Sequence, residues 1–368
     1  MKRRELLGAI AGATAATALT ACGSGEQNEQ AAAAMQPQQT YQWKMVTTWP
    51  KNFPGLGTGA NNIAKLITEM SGGRIDVKVY GAGELVGAFE VFDAVSAGNA
   101  QLGHAGAYYW KGKIPAAPFF SSVPFGLTAQ EMNAWLYYGG GMELWEEAYK
   151  PFGLIPNPGG NSGTQMGGWF NKEINSLEDL KGLKMRIPGF GGEVFKRAGG
   201  VPVTLPGGEI FPSLKSGALD ATEWVGPYND LAFGLYKAAK YYYTPGWHEP
   251  GTTMECMINE KAFNELPADL QSIVRNAIKA ANADMLAEYT ARNQQALQTL
   301  IEKHNVQLRH FPEEVLKELK SISEKVVEES AAADKLSAKV WASQKAFRDQ
   351  VSRWTAVSEG AFLQARAL

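Results

Sequence analysis

From Tyr41 onward the apolar residues recur with two different periods, and each switch between them marks an element. Residues 41–48 alternate as a strand, and Trp49-Pro50-Lys51-Asn52-Phe53-Pro54-Gly55 reads as a loop. Over 59–71, Ile63, Leu66, Ile67 and Met70 share one helical face, and Gly72-Gly73 stops the helix. Residues 74–80 alternate again. Phe89, Val91, Phe92, Ala94 and Val95 predict a second helix ended by Gly98, and 101–107 predict a third short strand. Strand, helix, strand, helix, strand predicts a parallel sheet with covering helices.

Further along, Leu183, Met185 and Ile187 alternate with Lys184 and Arg186, and Pro188-Gly189 ends that strand. A helix over 191–200, a strand over 203–205 and a helix over 210–216 follow, the last opened by Pro206-Gly207-Gly208-Glu209. Residues 254–259 read as a strand returning to the first lobe. The chain therefore crosses between lobes more than once, which makes both discontinuous about a hinge. A long helical pattern over 260–304 carries Leu270, Ile273, Val274, Ile278, Met285, Tyr289, Leu297, Leu300 and Ile301, and Phe311-Pro312-Glu313-Glu314 opens another helix. Residues 331–368 stay helical, with Val340, Trp341, Phe347, Val351, Trp354 and Phe362 as an apolar stripe. Such a stripe either folds back on its own lobe or packs on a second subunit.

Length and charge narrow the possibilities. The chain has 368 residues, long for one core and suited to two lobes. Its formal net charge is -2, and without residues 1–21 there remain 32 basic against 36 acidic side chains, so no basic stripe offers itself to nucleic acid. Cys22 and Cys256 are too few for a disulfide framework or a thiolate metal site. Cys256, within Met254-Glu255-Cys256-Met257-Ile258, fits a small buried side chain of a strand. At the N-terminus, Met1-Lys2-Arg3-Arg4 and the apolar, alanine-rich run to Ala21 have the form of an export signal, too short and too rich in Gly, Ala and Thr to span a membrane. Arg3-Arg4 before Leu6-Leu7 belongs either to a twin-arginine signal or to the basic head of a general secretory one. Leu19-Thr20-Ala21-Cys22 resembles a bacterial lipobox, which would make Cys22 the lipidated first residue of the mature protein, and the polar residues 23–40 read as a tether.

The candidate chemistry gathers at strand ends. Arg186 stands at a carboxyl end, where open α/β sheets bind ligands. It is either a guanidinium clamping a carboxylate through two parallel hydrogen bonds or a solvated arginine on an edge strand. Tyr109, in Tyr108-Tyr109-Trp110, also follows a strand and serves either a ligand oxygen or aromatic packing between lobes. The glycine-rich run Gly159-Gly160-Asn161-Ser162-Gly163-Thr164-Gln165-Met166-Gly167-Gly168 allows close backbone approach, but lacks the Gly-Lys-Ser/Thr ending of a phosphate loop. None of the four histidines stands at metal spacing to another, and neither His104 nor His248 is given a role. Glu223 and Glu249 are either surface carboxylates or pocket groups. Two carboxylates suffice for glycoside cleavage, so a periplasmic hydrolase is a rival reading. No nucleophile elbow or nucleotide loop supports it, and an arginine beside the pair would hold both ionised.

The order of motifs carries a resemblance. The arginine strand, Pro206-Gly207-Gly208-Glu209-Ile210 and Gly217-Ala218-Leu219-Asp220-Ala221-Thr222-Glu223-Trp224 together resemble the solute-binding proteins of TRAP transporters, the DctP family. Gly159 to Trp169 and Tyr243-Thr244-Pro245-Gly246-Trp247-His248-Glu249-Pro250-Gly251 are similar to the branch that binds 2-oxo acids and lactate. The likeness runs from about Tyr41 to the C-terminus. It implies an α/β, two-lobe periplasmic binding protein of the type II-like kind, with discontinuous domains, a hinge and long C-terminal helices. The corresponding divisions are a signal peptide over 1–21, a tether over 22–40, a first lobe over 41–164 and 254–310, a second over 165–253, and C-terminal helices over 311–368. The resemblance further implies a receptor, not an enzyme, that hands a small monocarboxylate such as pyruvate, another 2-oxo acid or lactate to a membrane permease. A receptor reporting to a sensory system is the alternative. By position, Arg186, Gln165, Asn161, Tyr109 and Trp224 would hold the ligand, and Gln165, Glu223, the Trp224 carbonyl and Glu249 a cation. Oxygen donors of this kind suit Na+ or Ca2+. Glu223, Glu249 and a ligand carboxylate supply three negative charges against the one positive charge of Arg186, a deficit that also calls for a cation. The same branch resembles dimers joined through the C-terminal helix.

Overall fold

A computed structural model describes residues 39–368. The expected signal peptide, Cys22 and nearly all of the tether lie outside the described residues. In chain order the first lobe contains β1 (Tyr41–Thr47), α1 (Leu56–Met70), β2 (Ile75–Tyr80), α2 (Val91–Ser96), β3 (Leu102–Gly106), α3 (Ala129–Tyr138), α4 (Gly141–Tyr149), β4 (Leu154–Ile155) and β5 (Pro158–Asn161). The chain then crosses to a second lobe for β6 (Gly168–Phe170), β7 (Lys184–Arg186), α5 (Gly189–Arg197), β8 (Val201–Val203), α6 (Gly207–Lys215), β9 (Ala221–Thr222), α7 (Pro227–Phe233) and β10 (Tyr241–Thr244). It returns through β11 (Thr253–Asn259), α8 (Glu260–Asn264) and α9 (Ala268–His304), and continues through β12 (Gln307–His310), α10 (Glu313–Ala331), α11 (Lys335–Thr355) and α12 (Ala361–Arg366).

The first sheet runs β2-β1-β3-β11-β4, with β5 also on β11. β1 is parallel to β2 and β3, as the alternation of strand and helix predicts, but β11 is antiparallel to β3. The sheet is therefore mixed. A parallel partner needs a covering crossover on the same sheet, whereas β11 arrives from the other lobe. The second sheet runs β12-β10-β6-β9-β7-β8. β7 sits between β9 and β8, so Arg186 does not lie on an edge strand.

Two short segments and one helix join the lobes. Residues 162–167 and 245–252 run side by side: Ser162 N–H donates to the Thr252 carbonyl at 3.0 Å, Gln165 N–H to that of Glu249 at 3.1 Å, and Gly246 N–H to that of Gln165 at 2.9 Å. A Cβ at position 246 would stand 2.3 Å from the Gln165 carbonyl oxygen, so only glycine fits there. α9, at 37 residues about 55 Å long, spans both lobes. Its Leu270, Val274, Ala277 and Ile278 pack with Trp43, Ile63 and Ile67, while Tyr289 and Leu300 pack with Trp169, Leu235 and Tyr242. It thereby delivers β12 to β10 of the second sheet, which corrects the assignment of all of 254–310 to the first lobe.

The C-terminal stripe does two things. α10 packs on α5, with Glu329 paired to Arg197. α11 returns to the first lobe, where Ser343 Oγ accepts from Trp135 Nε1 at 3.1 Å and Gln344 Nε2 donates to the Phe119 carbonyl at 2.8 Å. Val340 and Trp341 are buried there, whereas Trp354 and Phe362 remain 68% and 62% exposed. No described helix is long and apolar enough to cross a membrane.

Candidate functional site

The site grows from the register of β7 on β9. The two strands are parallel and pair Arg186 with Thr222, so Glu223, one residue on, leaves its strand beside Arg186. Glu223 N–H donates to the Arg186 carbonyl at 3.1 Å. Both side chains are buried, with Arg186 Nη1 donating to the Glu223 carboxylate. Nε donates to the Leu205 carbonyl at 3.2 Å, and Nη2 reaches across the cleft to Tyr109 Oη at 3.1 Å. The guanidinium carbon lies 4.9 Å from the Trp224 ring centroid, a stacked cation–π arrangement. Its hydrogen bonds leave one Nη2 N–H without a partner among the described residues. Burial works against the charged guanidinium, but the Glu223 carboxylate, with Tyr109, Tyr108 and Glu249, outweighs it and holds Arg186 protonated.

The two crossing segments bring the other groups. Gln165 is buried; its Nε2 donates to Ser162 Oγ at 3.1 Å, and its Oε1 has no hydrogen-bond partner among the described residues. Glu249 is buried and accepts from Thr252 Oγ1 at 2.6 Å. Burial first, and then the Glu223 carboxylate, push the Glu249 carboxyl up to about 7. His248 Nε2 lies 3.4 Å from Glu223 Oε2, and donor atoms of Glu223, His248 and Glu249 lie within 4.8 Å of one another. The Trp224 carbonyl receives no hydrogen bond from the described residues. The two carboxylates, with a buried amide oxygen and a free carbonyl on neighbouring residues, offer oxygen donors of the kind that fits a hard cation. Such an ion would supply the positive charge this cluster lacks and polarise any ligand oxygen it touched.

An aromatic wall closes the cleft. Trp49 and Phe53 of the first lobe meet Trp224 of the second edge-on, at 6.2 and 6.3 Å, and Phe53 lies 4.2 Å from Phe233. Trp49 Nε1 donates to His104 Nδ1 at 2.7 Å, leaving His104 Nε2 to donate to the Gly159 carbonyl at 3.3 Å. Burial pushes this imidazole down to about 4, so it stays neutral and fixes the Trp49 indole.

Arg186, Glu223, Trp224, Gln165, Glu249 and Tyr109 thus converge from both lobes. Asn161 does not join them with a free group. Its Nδ2 donates to the Gly251 carbonyl and Thr253 Oγ1, and its Oδ1 accepts from Gly163 N–H at 2.8 Å. This amide braces the crossing segments. His248, Thr252 and Trp49 were missed. The first two are neighbours of Glu249 on the same crossing segment, where His248 meets Glu223 and Thr252 donates to Glu249.

With this geometry in place, the chain can be compared with known proteins. The model of the family described as bacterial extracellular solute-binding protein, family 7 (DctP), matches residues 45–334. A monocarboxylate 2-oxoacid-binding periplasmic protein of Nostoc sp. is 46% identical over 359 residues, covering 98% of this chain and 97% of that protein. A TRAP periplasmic solute-binding protein from Pseudoalteromonas atlantica, solved with bound sodium and pyruvate, has a TM-score of 0.86 at 46% identity over 89% of this chain and 99% of that one. Another, from Colwellia psychrerythraea with bound calcium and pyruvate, shows the same TM-score and identity over 89% of this chain and 100% of that one. The chain belongs to the DctP family of bacterial extracellular solute-binding proteins, the solute receptors of TRAP transport. The family is one of receptors that work outside the cytoplasm.

Proposed function

We propose that this chain captures a small 2-oxo or 2-hydroxy monocarboxylate, pyruvate foremost, together with Na+ or Ca2+, and delivers it unchanged to a TRAP permease. The observation that carries this reading is a buried arginine, reached from both lobes, with a spare N–H beside oxygen donors that lack partners. In this reading the ligand carboxylate takes the free Arg186 N–H and lies beside Tyr109 and Trp224. Gln165, Glu223, Glu249 and the Trp224 carbonyl hold the cation, and Gln165 also borders the ligand. Ca2+ balances Glu223, Glu249 and the ligand carboxylate against Arg186 completely; Na+ leaves one negative charge. The pyruvate and metal of the two similar solved structures support both halves of the assignment. Glu223 is committed to Arg186, which argues against its use as half of a hydrolytic acid/base pair.

Calorimetry with pyruvate, longer 2-oxo acids and lactate, on chelated protein and again with Ca2+ or Na+, tests the reading. Cation-dependent binding of at least one of these acids is expected. Absence of binding across the panel, or affinity indifferent to cation, overturns it. The reading extends to export through the N-terminal signal, with lipidation at Cys22 and a twin-arginine route; release of a Cys22→Ser variant from the membrane fraction is the expected result. It also extends to a homodimer joined through the exposed end of α11 and α12, supported by Trp354, Val357, Phe362 and Leu363. Light scattering of the full chain against one ending at residue 351 should show a dimer reduced to a monomer.

A further inference from the structure

Asp230, in the first turn of α7, is buried beneath the site and belongs to none of the groups assigned above. Its Oδ2 accepts from Trp169 Nε1 at 2.9 Å and Tyr242 Oη at 2.7 Å, and those two rings stack with centroids 4.0 Å apart. All of its partners are neutral donors, and burial pushes its carboxyl up to about 7. Its other oxygen, Oδ1, accepts a long hydrogen bond, 3.4 Å, from Val225 N–H. That N–H belongs to the same peptide unit as the Trp224 carbonyl. In a trans peptide the N–H and C=O point in opposite directions, so drawing the N–H toward Asp230 aims the carbonyl away from it. The next peptide is pinned as well, because Met166 N–H donates to the Val225 carbonyl at 3.0 Å.

We propose that Asp230 is a positioning residue for cation binding: by accepting from Val225 N–H it orients the Trp224–Val225 peptide so that the Trp224 carbonyl faces the proposed cation. The inference rests on the cation reading given above. The rigid cradle of Trp169 and Tyr242 explains how a short loop between β9 and α7 presents a backbone ligand with one fixed orientation. Partners that orient ligands in this way are typically worth about 10–100-fold in metal affinity.

The test is calcium titration of chelated full-length protein by calorimetry, for the native chain and for Asp230→Asn. The expected result is a calcium Kd raised at least tenfold, with a much smaller change, under threefold, in pyruvate affinity once calcium saturates. A merely structural role would weaken both together and overturn the inference, as would a calcium Kd within twofold of the native value. A native chain that binds no cation removes the underlying reading and the inference with it. Should Asp230→Asn not fold, Tyr242→Phe removes one of the two donors that hold the Asp230 carboxyl in place. That variant should raise the calcium Kd threefold or more with the same split, and an unchanged Kd overturns the inference.

Discussion

Two buried glutamates, thirty-two positions apart in sequence, show what separates a site from a core. Glu255 of β11 lies in the first lobe, where it accepts from Trp110 Nε1 and, at 2.7 Å, from Tyr149 Oη. Each of its two carboxylate oxygens has an internal donor, and Phe92 packs against both aromatic partners at 5.4 and 5.6 Å. Glu223, equally buried, sits between the Arg186 guanidinium and two acceptors without a partner among the described residues: Gln165 Oε1 and the Trp224 carbonyl. Glu255, closed off by internal donors and remote from the site, is structural; Glu223, beside unfilled acceptors, stands where the proposed guest would bind.

The sharpest way to break this contrast is to remove the cation from one side. Arg186→Ala deletes the proposed clamp and strands Glu223 without its partner; loss of a buried partner costs about 3–5 kcal/mol. Pyruvate affinity measured by calorimetry should fall at least about 100-fold, and retained affinity would dissolve the distinction. The other side is tested by pH. Burial raises the Glu255 carboxyl from its ordinary 4.5 to about 7. Because the folded value is the higher one, the stability it contributes is complete below about pH 4.5 and is lost as pH rises through about 7, roughly 3 kcal/mol in all. Glu255→Gln should flatten the fall in Tm between pH 5 and 7.5 and leave pyruvate affinity intact; equal slopes in calorimetric scans would argue against a raised carboxyl.

A finer cut separates ion from ligand. Glu249→Gln should lower calcium affinity about 10–100-fold and weaken pyruvate mainly through the lost ion, so that excess calcium restores part of the binding. The smallest effect is expected at the lobe-to-lobe contact. Tyr109→Phe removes a single neutral hydroxyl bonded to Arg186 and should cost about 1 kcal/mol, a fivefold loss in pyruvate affinity by the same titration.

Much of this arrangement is legible in the chain. Leu183, Met185 and Ile187 alternating around Arg186, then Pro188-Gly189, locate β7 and its carboxyl end, and the polar run after Asn161 marks a lobe crossing. What hides is long-range. Four residues, Gln307–His310, have too little apolar patterning to declare a strand, and only pairing with β10 creates β12. α3 and α4 did carry a signal, with Met132, Trp135 and Leu136, then Leu144, Trp145 and Ala148, at helical spacing, but each is short and Gly139-Gly140 interrupts them. The mixed character of the first sheet follows from where β11 comes from, and local periodicity does not encode that origin. His248 escaped for a related reason: its partner Glu223 is twenty-five positions away and meets it only once β9 and the second crossing segment are in place.

Gln165 and Glu249 ride on the two strips of backbone that cross between the lobes, and a main-chain hydrogen bond sews those strips together between them. The protein has no need of a separate lever to report occupancy. Under the proposed function, a guest that engages both residues would splint the joint itself, and capture and stiffening would be one mechanical event.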